Sequence, residues 1–100
     1  MPYENALAAL ADPTRRAVFE RLKGGGRSVG EIAKDLPVSR PAVSQHLKAL
    51  KEAGLVRDEA RGTARIYRIH APGLVELRNY LDGFWDEALE NFKNYAEDEK

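Results

Sequence analysis

Apolar residues in the middle of the chain fall on one narrow helical stripe. In VSRPAVSQHLKALKEAGLV, running from Val38 to Val56, the residues Val43, Leu47 and Leu50 recur at i, i+4 and i+7, the spacing that gathers side chains on one face of an α-helix. Ser39 offers a hydroxyl to an amide that the first turn leaves unpaired, Pro41 is tolerated in that turn, and Gly54 suits the left-handed conformation that ends a helix. The pattern predicts a helix from Arg40 to Ala53. Just upstream, Ser28-Val29-Gly30-Glu31 has the form of a capping box, Ile32, Ala33 and Leu36 supply the apolar side of a short helix, and Pro37 ends it. Near the N-terminus, Tyr3, Ala6, Leu7 and Leu10 share one side of a short helix. Asp12 then caps a second helix with Pro13 in its first turn and Ala17, Val18 and Leu22 on its apolar side, and Gly24-Gly25-Gly26 follow as a flexible loop.

Beyond the central helix the period changes. Val56 to Ile69 reads as two short strands about Arg61-Gly62-Thr63, because Gly62 allows a positive φ at the turn and Ile66, Tyr67 and Ile69 favour strand. From Pro72 the helical period returns: Leu74, Leu77, Leu81, Phe84, Ala88, Phe92 and Tyr95 advance by three or four residues, and Trp85 and Leu89 widen the stripe. Such a helix is about 36 Å long at 1.5 Å per residue, more than a seventy-residue body covers. Part of its apolar face must meet something else. Gly83, inside it, costs about 1 kcal/mol against alanine and marks a bend or a close approach.

The side of the central helix opposite its stripe falls on Pro41, Gln45, Lys48 and Glu52, with Ser44 on the shoulder. A polar helix face is usually only solvated. This one follows another short helix across a tight turn, the helix-turn-helix arrangement, in which the second helix enters the major groove. There Gln45 matches the paired acceptor and donor of adenine, Ser44 reads base edges, and Lys48 meets a phosphate or a guanine. Arg61 and Arg65 on the hairpin are placed for a phosphate or a narrow minor groove, although Asp58 and Glu59 make the hairpin less basic. Arg15 and Arg16, early in the second helix, are either surface charges or phosphate contacts, with at least one of them read as surface.

The segments ALADPTRRAVFERL at 7–22, SVGEIAKDL at 28–36, SRPAVSQHLKALKEAGLV at 39–56 and ARIYRI at 64–69 give the chain a specific likeness over its first seventy residues: it resembles the winged helix-turn-helix repressors of the bacterial ArsR family. The C-terminal third fits in kind. The resemblance implies a mainly α fold with a small β-hairpin, about five helices and a two-stranded wing, forming one domain over residues 1–100. Its DNA-binding core would span about 12–70, and dimerisation helices about 3–11 and 72–97. The implied DNA-binding set is Ser39, Arg40, Pro41, Ser44, Gln45, His46 and Lys48 on the recognition helix, with Arg61, Gly62 and Arg65 on the wing. Because the family dimerises through its first and last helices, the expected interface holds Tyr3, Leu7, Leu77, Leu81, Phe84, Trp85, Ala88, Phe92 and Tyr95. The partners are then double-stranded DNA and a second copy of the chain; no inducer can be named.

Composition narrows this reading further. With 100 residues, 43% hydrophobic and 32% charged, the chain makes one domain with a modest core. No apolar run, signal peptide or cysteine points to a membrane, export or disulfides, so a cytoplasmic location is expected. The net charge of zero hides a division: residues 1–71 carry thirteen Lys and Arg against eight Asp and Glu, and residues 72–100 carry three against eight. A basic front and an acidic back suit a protein that turns one face to nucleic acid. Nucleophile and zinc-protease motifs are missing, so no enzyme is expected. No metal or other cofactor is expected either, since metal-sensing relatives use thiolates before the recognition helix or histidines on the last one, and this chain has only His46 and His70. The alternatives are a winged-helix protein-interaction module, which would show an apolar outer face, and a metal-responsive repressor with an unrecognised site.

Overall fold

The computed structural model describes residues 2–98, with side chains from residue 4 to residue 97. Among them are five helices and one hairpin: α1 Pro2–Ala11, α2 Pro13–Glu20, α3 Val29–Lys34, α4 Arg40–Glu52, β1 Val56–Arg61, β2 Ala64–Ile69 and α5 Ala71–Asp98. Local chemistry accounts for most of the boundaries. The Asp12 carboxylate accepts from the amides of Thr14 and Arg15, and Pro13 opens α2. Ser28 and Glu31 form the reciprocal capping box at the start of α3. Ser39 Oγ accepts from the Ala42 amide at 3.3 Å to start α4. The α4 and α5 boundaries fall within one residue of expectation, but α3 stops at Lys34, short of Leu36. Pro37 disfavours helical geometry in the residue before it, so Leu36 leaves the helix and packs on the core from the turn.

The hairpin pairs Val56 with Ile69 and Arg61 with Ala64, leaving Gly62 and Thr63 as the turn. Gly62 takes φ +62 and Thr63 stays at negative φ, the pattern of a two-residue II′ turn, whose twist matches that of the strands. The glycine loop before α3 is tied to this hairpin. Arg27 and Tyr67 exchange both backbone hydrogen bonds, at 3.0 and 2.8 Å, which adds a one-residue third strand. Where the sequence suggested a flexible connector, the loop end is therefore anchored.

The core lies where α1, α2 and α3 pack on the inner side of α4, with α5 packed against α1. Val18, Ile32, Val43, Leu47, Leu50 and Leu55 are fully buried, joined by Ala6, Ala9, Leu22, Val56 and Leu77. At the end of α4, Gly54 turns to φ +80, and the first turn of α5 passes directly over it. A Cβ on Gly73 would fall on the Gly54 carbonyl, and the His70 amide donates to Leu55 O at 2.9 Å. The root of α5 is thereby fastened to the end of α4. From there α5 runs unbroken through Gly83 for 28 residues, about 42 Å, and the molecule extends 65 Å along its longest axis.

Candidate nucleic-acid interface

The α4 helix has two sharply different sides. Val43, Leu47 and Leu50 are completely enclosed, whereas Ser39, Arg40, Pro41, Ser44, Gln45 and Lys48 are exposed. Among the described residues, the side chains of Ser44, Gln45 and Lys48 make no hydrogen bond or ion pair, so their donors and acceptors are available to an external partner. His46 departs from this group. It is half-buried, and its Nδ1 is enclosed without a hydrogen-bond partner. The residue lies near Asp12, the N-cap of α2. One helical turn from the stripe residues, it belongs to the flank that packs, and that nitrogen is closed to DNA.

The wing stands beside this face. Arg61 and Gly62 are exposed at its tip, and Arg61 makes no ion pair among the described residues. Arg65 is exposed as well, but its Nη1 donates to Asp58 Oδ2 at 2.9 Å. Asp58 also meets Lys51 Nζ from the last turn of α4, at 2.8 Å. The hydrogen bond from Lys51 and then that from Arg65 hold the Asp58 carboxyl below the usual carboxylate range. Glu59 is likewise lowered, first by its hydrogen bond from Arg68 at 2.9 Å. The two acidic residues that made the wing look weakly basic are thus absorbed within it. Asp58 and Arg65 are diagonal neighbours across the strands, as are Glu59 and Arg68, a relation readable only once the register is known.

Arg15 and Arg16 have structural work that their sequence setting did not reveal. Arg15 Nη1 donates to Ala9 O at 3.4 Å, and Arg16 Nη1 to Leu10 O at 3.0 Å. Both carbonyls belong to the last turn of α1, which has no capping glycine, so the next helix caps it with side chains. Asp12, in the same corner, is lowered chiefly by the Arg15 amide.

The side chains expected at a subunit interface divide in two. Leu77 is buried in the protomer's own core, where it faces α1 and is closed to a partner. Leu7, Leu81, Phe84, Trp85, Ala88, Phe92 and Tyr95 are exposed, with Trp85 at 67% and Phe92 at 72%. The Tyr3 side chain lies outside the described ones. Phe84 meets Tyr80 edge to face at 5.0 Å, and the remaining aromatic residues of α5 lie along an uncovered stripe. Small soluble protomers rarely leave so continuous an apolar surface bare. No group of three His, Cys, Asp or Glu is arranged for a metal among the described residues, and no helix is long and apolar enough to cross a membrane.

Comparison with known proteins agrees with this geometry. A family model for a helix-turn-helix domain matches residues 10–59, from the end of α1 to β1. The HTH-type transcriptional regulator Rv2034 of Mycobacterium tuberculosis is 54% identical over 96 residues, 96% of this chain and 90% of the relative. The transcriptional repressor SdpR of Bacillus subtilis is 35% identical over 80 residues, 80% and 89% of the two chains. Among solved structures, an ArsR-like transcriptional regulator from Rhodococcus sp. RHA1 superposes with TM-score 0.77 at 33% identity, over 95% of this chain and 92% of that one. The homodimeric winged helix-turn-helix DNA-binding domain of Mb0332 from Mycobacterium bovis gives 0.69 at 31%, over 90% and 83%.

Proposed function

Given that this chain belongs to the ArsR family of winged helix-turn-helix transcriptional regulators, we propose that it is a repressor that binds a pseudo-palindromic operator as a homodimer. Residues of about 12–70 form the DNA-binding core, and the helices of about 3–11 and 72–97 the dimer contact. Ser44, Gln45 and Lys48 read base edges in the major groove, while Ser39, Arg40 and Pro41 at the N-terminal end of α4 approach the strand. Arg61, Gly62 and Arg65 lie along the adjacent backbone, Arg65 after giving up part of its bond to Asp58. The observation that carries the reading is the two-sidedness of α4: a completely buried inner row opposite Ser44, Gln45 and Lys48, which have no hydrogen-bond or ion-pair partner among the described residues, flanked by an arginine-bearing hairpin. A winged helix made for docking a protein would present apolar side chains there.

The dimeric part rests on the uncovered stripe of α5 and on the homodimeric relative from Mycobacterium bovis. The repressive part rests on relatives of that name and on a mechanism that needs only occupancy of a promoter. Selection of bound duplexes from a random pool tests both at once. It should return a two-part motif whose halves are separated by one helical turn, about 10 base pairs, or a multiple of it. A one-part motif would remove the dimeric reading, and no enrichment at all would remove the DNA-binding one.

A further inference from the structure

A cleft of about 390 Å³ opens between α3, the start of α4 and β2. Its floor is apolar, formed by Val29, Ala64 and the ring of Tyr67, and three cations border it: Lys34 from α3, Arg40 from α4 and Arg65 from the wing. One carboxylate is present, but Glu31 is committed to the capping box, where it accepts from the Ser28 amide at 3.1 Å. Arg65 is shared with Asp58. Lys34 and Arg40 are in no ion pair among the described residues. Arg40 lies against Gly30. Three atoms of its guanidinium lie 3.2–3.6 Å from the point that a Cβ at position 30 would occupy, so the group rests on bare helix backbone.

We propose that this cleft seats one sugar-phosphate unit of the DNA strand that passes between the recognition helix and the wing. The phosphate lies between Arg40 and Lys34 with Arg65 at the rim, and the deoxyribose packs on Val29, Ala64 and Tyr67. The proposal rests on the DNA-binding reading: with α4 in the major groove and the wing beside it, the backbone that separates the two must cross here. The charge balance of the border favours a phosphate diester, and the apolar floor favours a sugar over a bare anion. Gly30 is a positioning residue: a Cβ there is in tight contact with the Arg40 guanidinium, and a longer side chain displaces it and enters the seat.

The test uses the full chain and an operator duplex carrying one methylphosphonate, moved one phosphate at a time. Wild type, Lys34→Ala and Gly30→Leu are compared at several salt concentrations. Lys34→Ala should reduce the slope of log affinity against log salt by about 0.9 per subunit. One methylphosphonate position in each half-site should weaken wild type while leaving Lys34→Ala unaffected. Gly30→Leu keeps every charge and improves helix propensity, so its melting temperature should hold or rise while operator affinity falls roughly tenfold, the loss of one charge-assisted contact. Inorganic phosphate at matched ionic strength should compete no better than chloride. The seat is overturned if no backbone position separates wild type from Lys34→Ala, if Gly30→Leu binds as well as wild type, or if free phosphate competes selectively. Should wild type itself show neither operator preference nor a salt slope, the DNA-binding reading falls and this proposal with it.

Discussion

Gln45 and Arg61 are both exposed and make no hydrogen bond or ion pair among the described residues, yet they are suited to different work. The Gln45 amide carries a donor and an acceptor side by side, and it stands within two turns of the N-terminal end of α4. Gln45→Ala should cost about 1–3 kcal/mol on the operator and relax selectivity at one position in each half-site. Arg61 holds a delocalised charge at the wing tip. Arg61→Ala should weaken operator and scrambled duplexes alike and reduce the salt slope by about 0.9 per phosphate contact and subunit. Binding titrations with both duplexes at several salt concentrations check the pair; equal loss on both duplexes for Gln45→Ala would refute base reading. Asp58 supplies a pH-dependent prediction. Its folded-state pKa is lowered by Lys51 and Arg65, so its contribution to stability is present above the ordinary carboxylate range and lost as pH falls through the lowered value. The melting-temperature difference between wild type and Asp58→Asn should be largest near neutrality and shrink below about pH 4.

At the scale of elements, the junction between α4 and α5 is the least forgiving contact. Two influences oppose each other at Gly73. Alanine is the better helix former by about 1 kcal/mol, but its Cβ would meet the Gly54 carbonyl, a backbone atom in the bend that ends the recognition helix. Backbone cannot swing aside as a side chain does, so the clash should prevail. Gly73→Ala should lose about 1–3 kcal/mol in urea denaturation; a gain in stability would show that α5 can lift from α4 at little cost. The wing is a second composite element. Lys51 from α4, Asp58 from β1 and Arg65 from β2 meet in one ion cluster, and the Arg27–Tyr67 bridge holds its other side. The wing is thereby tied to the last turn of α4 by side chains and to the loop before α3 by backbone.

For the whole molecule, the contrast between Leu77 and Phe92 separates folding from association. Leu77 is enclosed in the protomer and Phe92 is 72% exposed on the same helix. Leu77→Asp should place an unpaired charge in the core and unfold the chain. Phe92→Asp should keep the helical circular dichroism of the protomer but sediment as an 11.2 kDa species, with operator affinity lost because two half-sites are no longer engaged by one particle. A Phe92→Asp variant that remains dimeric at micromolar concentration would place the interface elsewhere. The charge division fits this arrangement: the acidic excess falls in the segment of α5, and the basic excess in the segments before it, which carry the proposed reading face.

The sequence by itself determined what depends on near neighbours along the chain. The caps at Asp12, Ser28 and Ser39, the stripe of Val43, Leu47 and Leu50, the hairpin turn about Gly62 and the outward set Ser44, Gln45 and Lys48 follow from periodicity and backbone chemistry within a few residues. The end of α3 was misplaced by two residues because Leu36 is apolar at helical spacing while the proline after it denies it helical geometry. What only the tertiary structure decided are pairings between distant residues. The inward turn of His46 depends on α2 lying beside α4. The capping of α1 by Arg15 and Arg16 depends on the angle between two helices, and the partnership of Asp58 with Lys51 and Arg65 on strand register. Leu77 and Phe92 belong to one hydrophobic stripe, and periodicity cannot tell which of its members meets the body. Their different fates arise because the body reaches only as far as the first turns of α5, and the rest of the helix runs past the core that could have covered it.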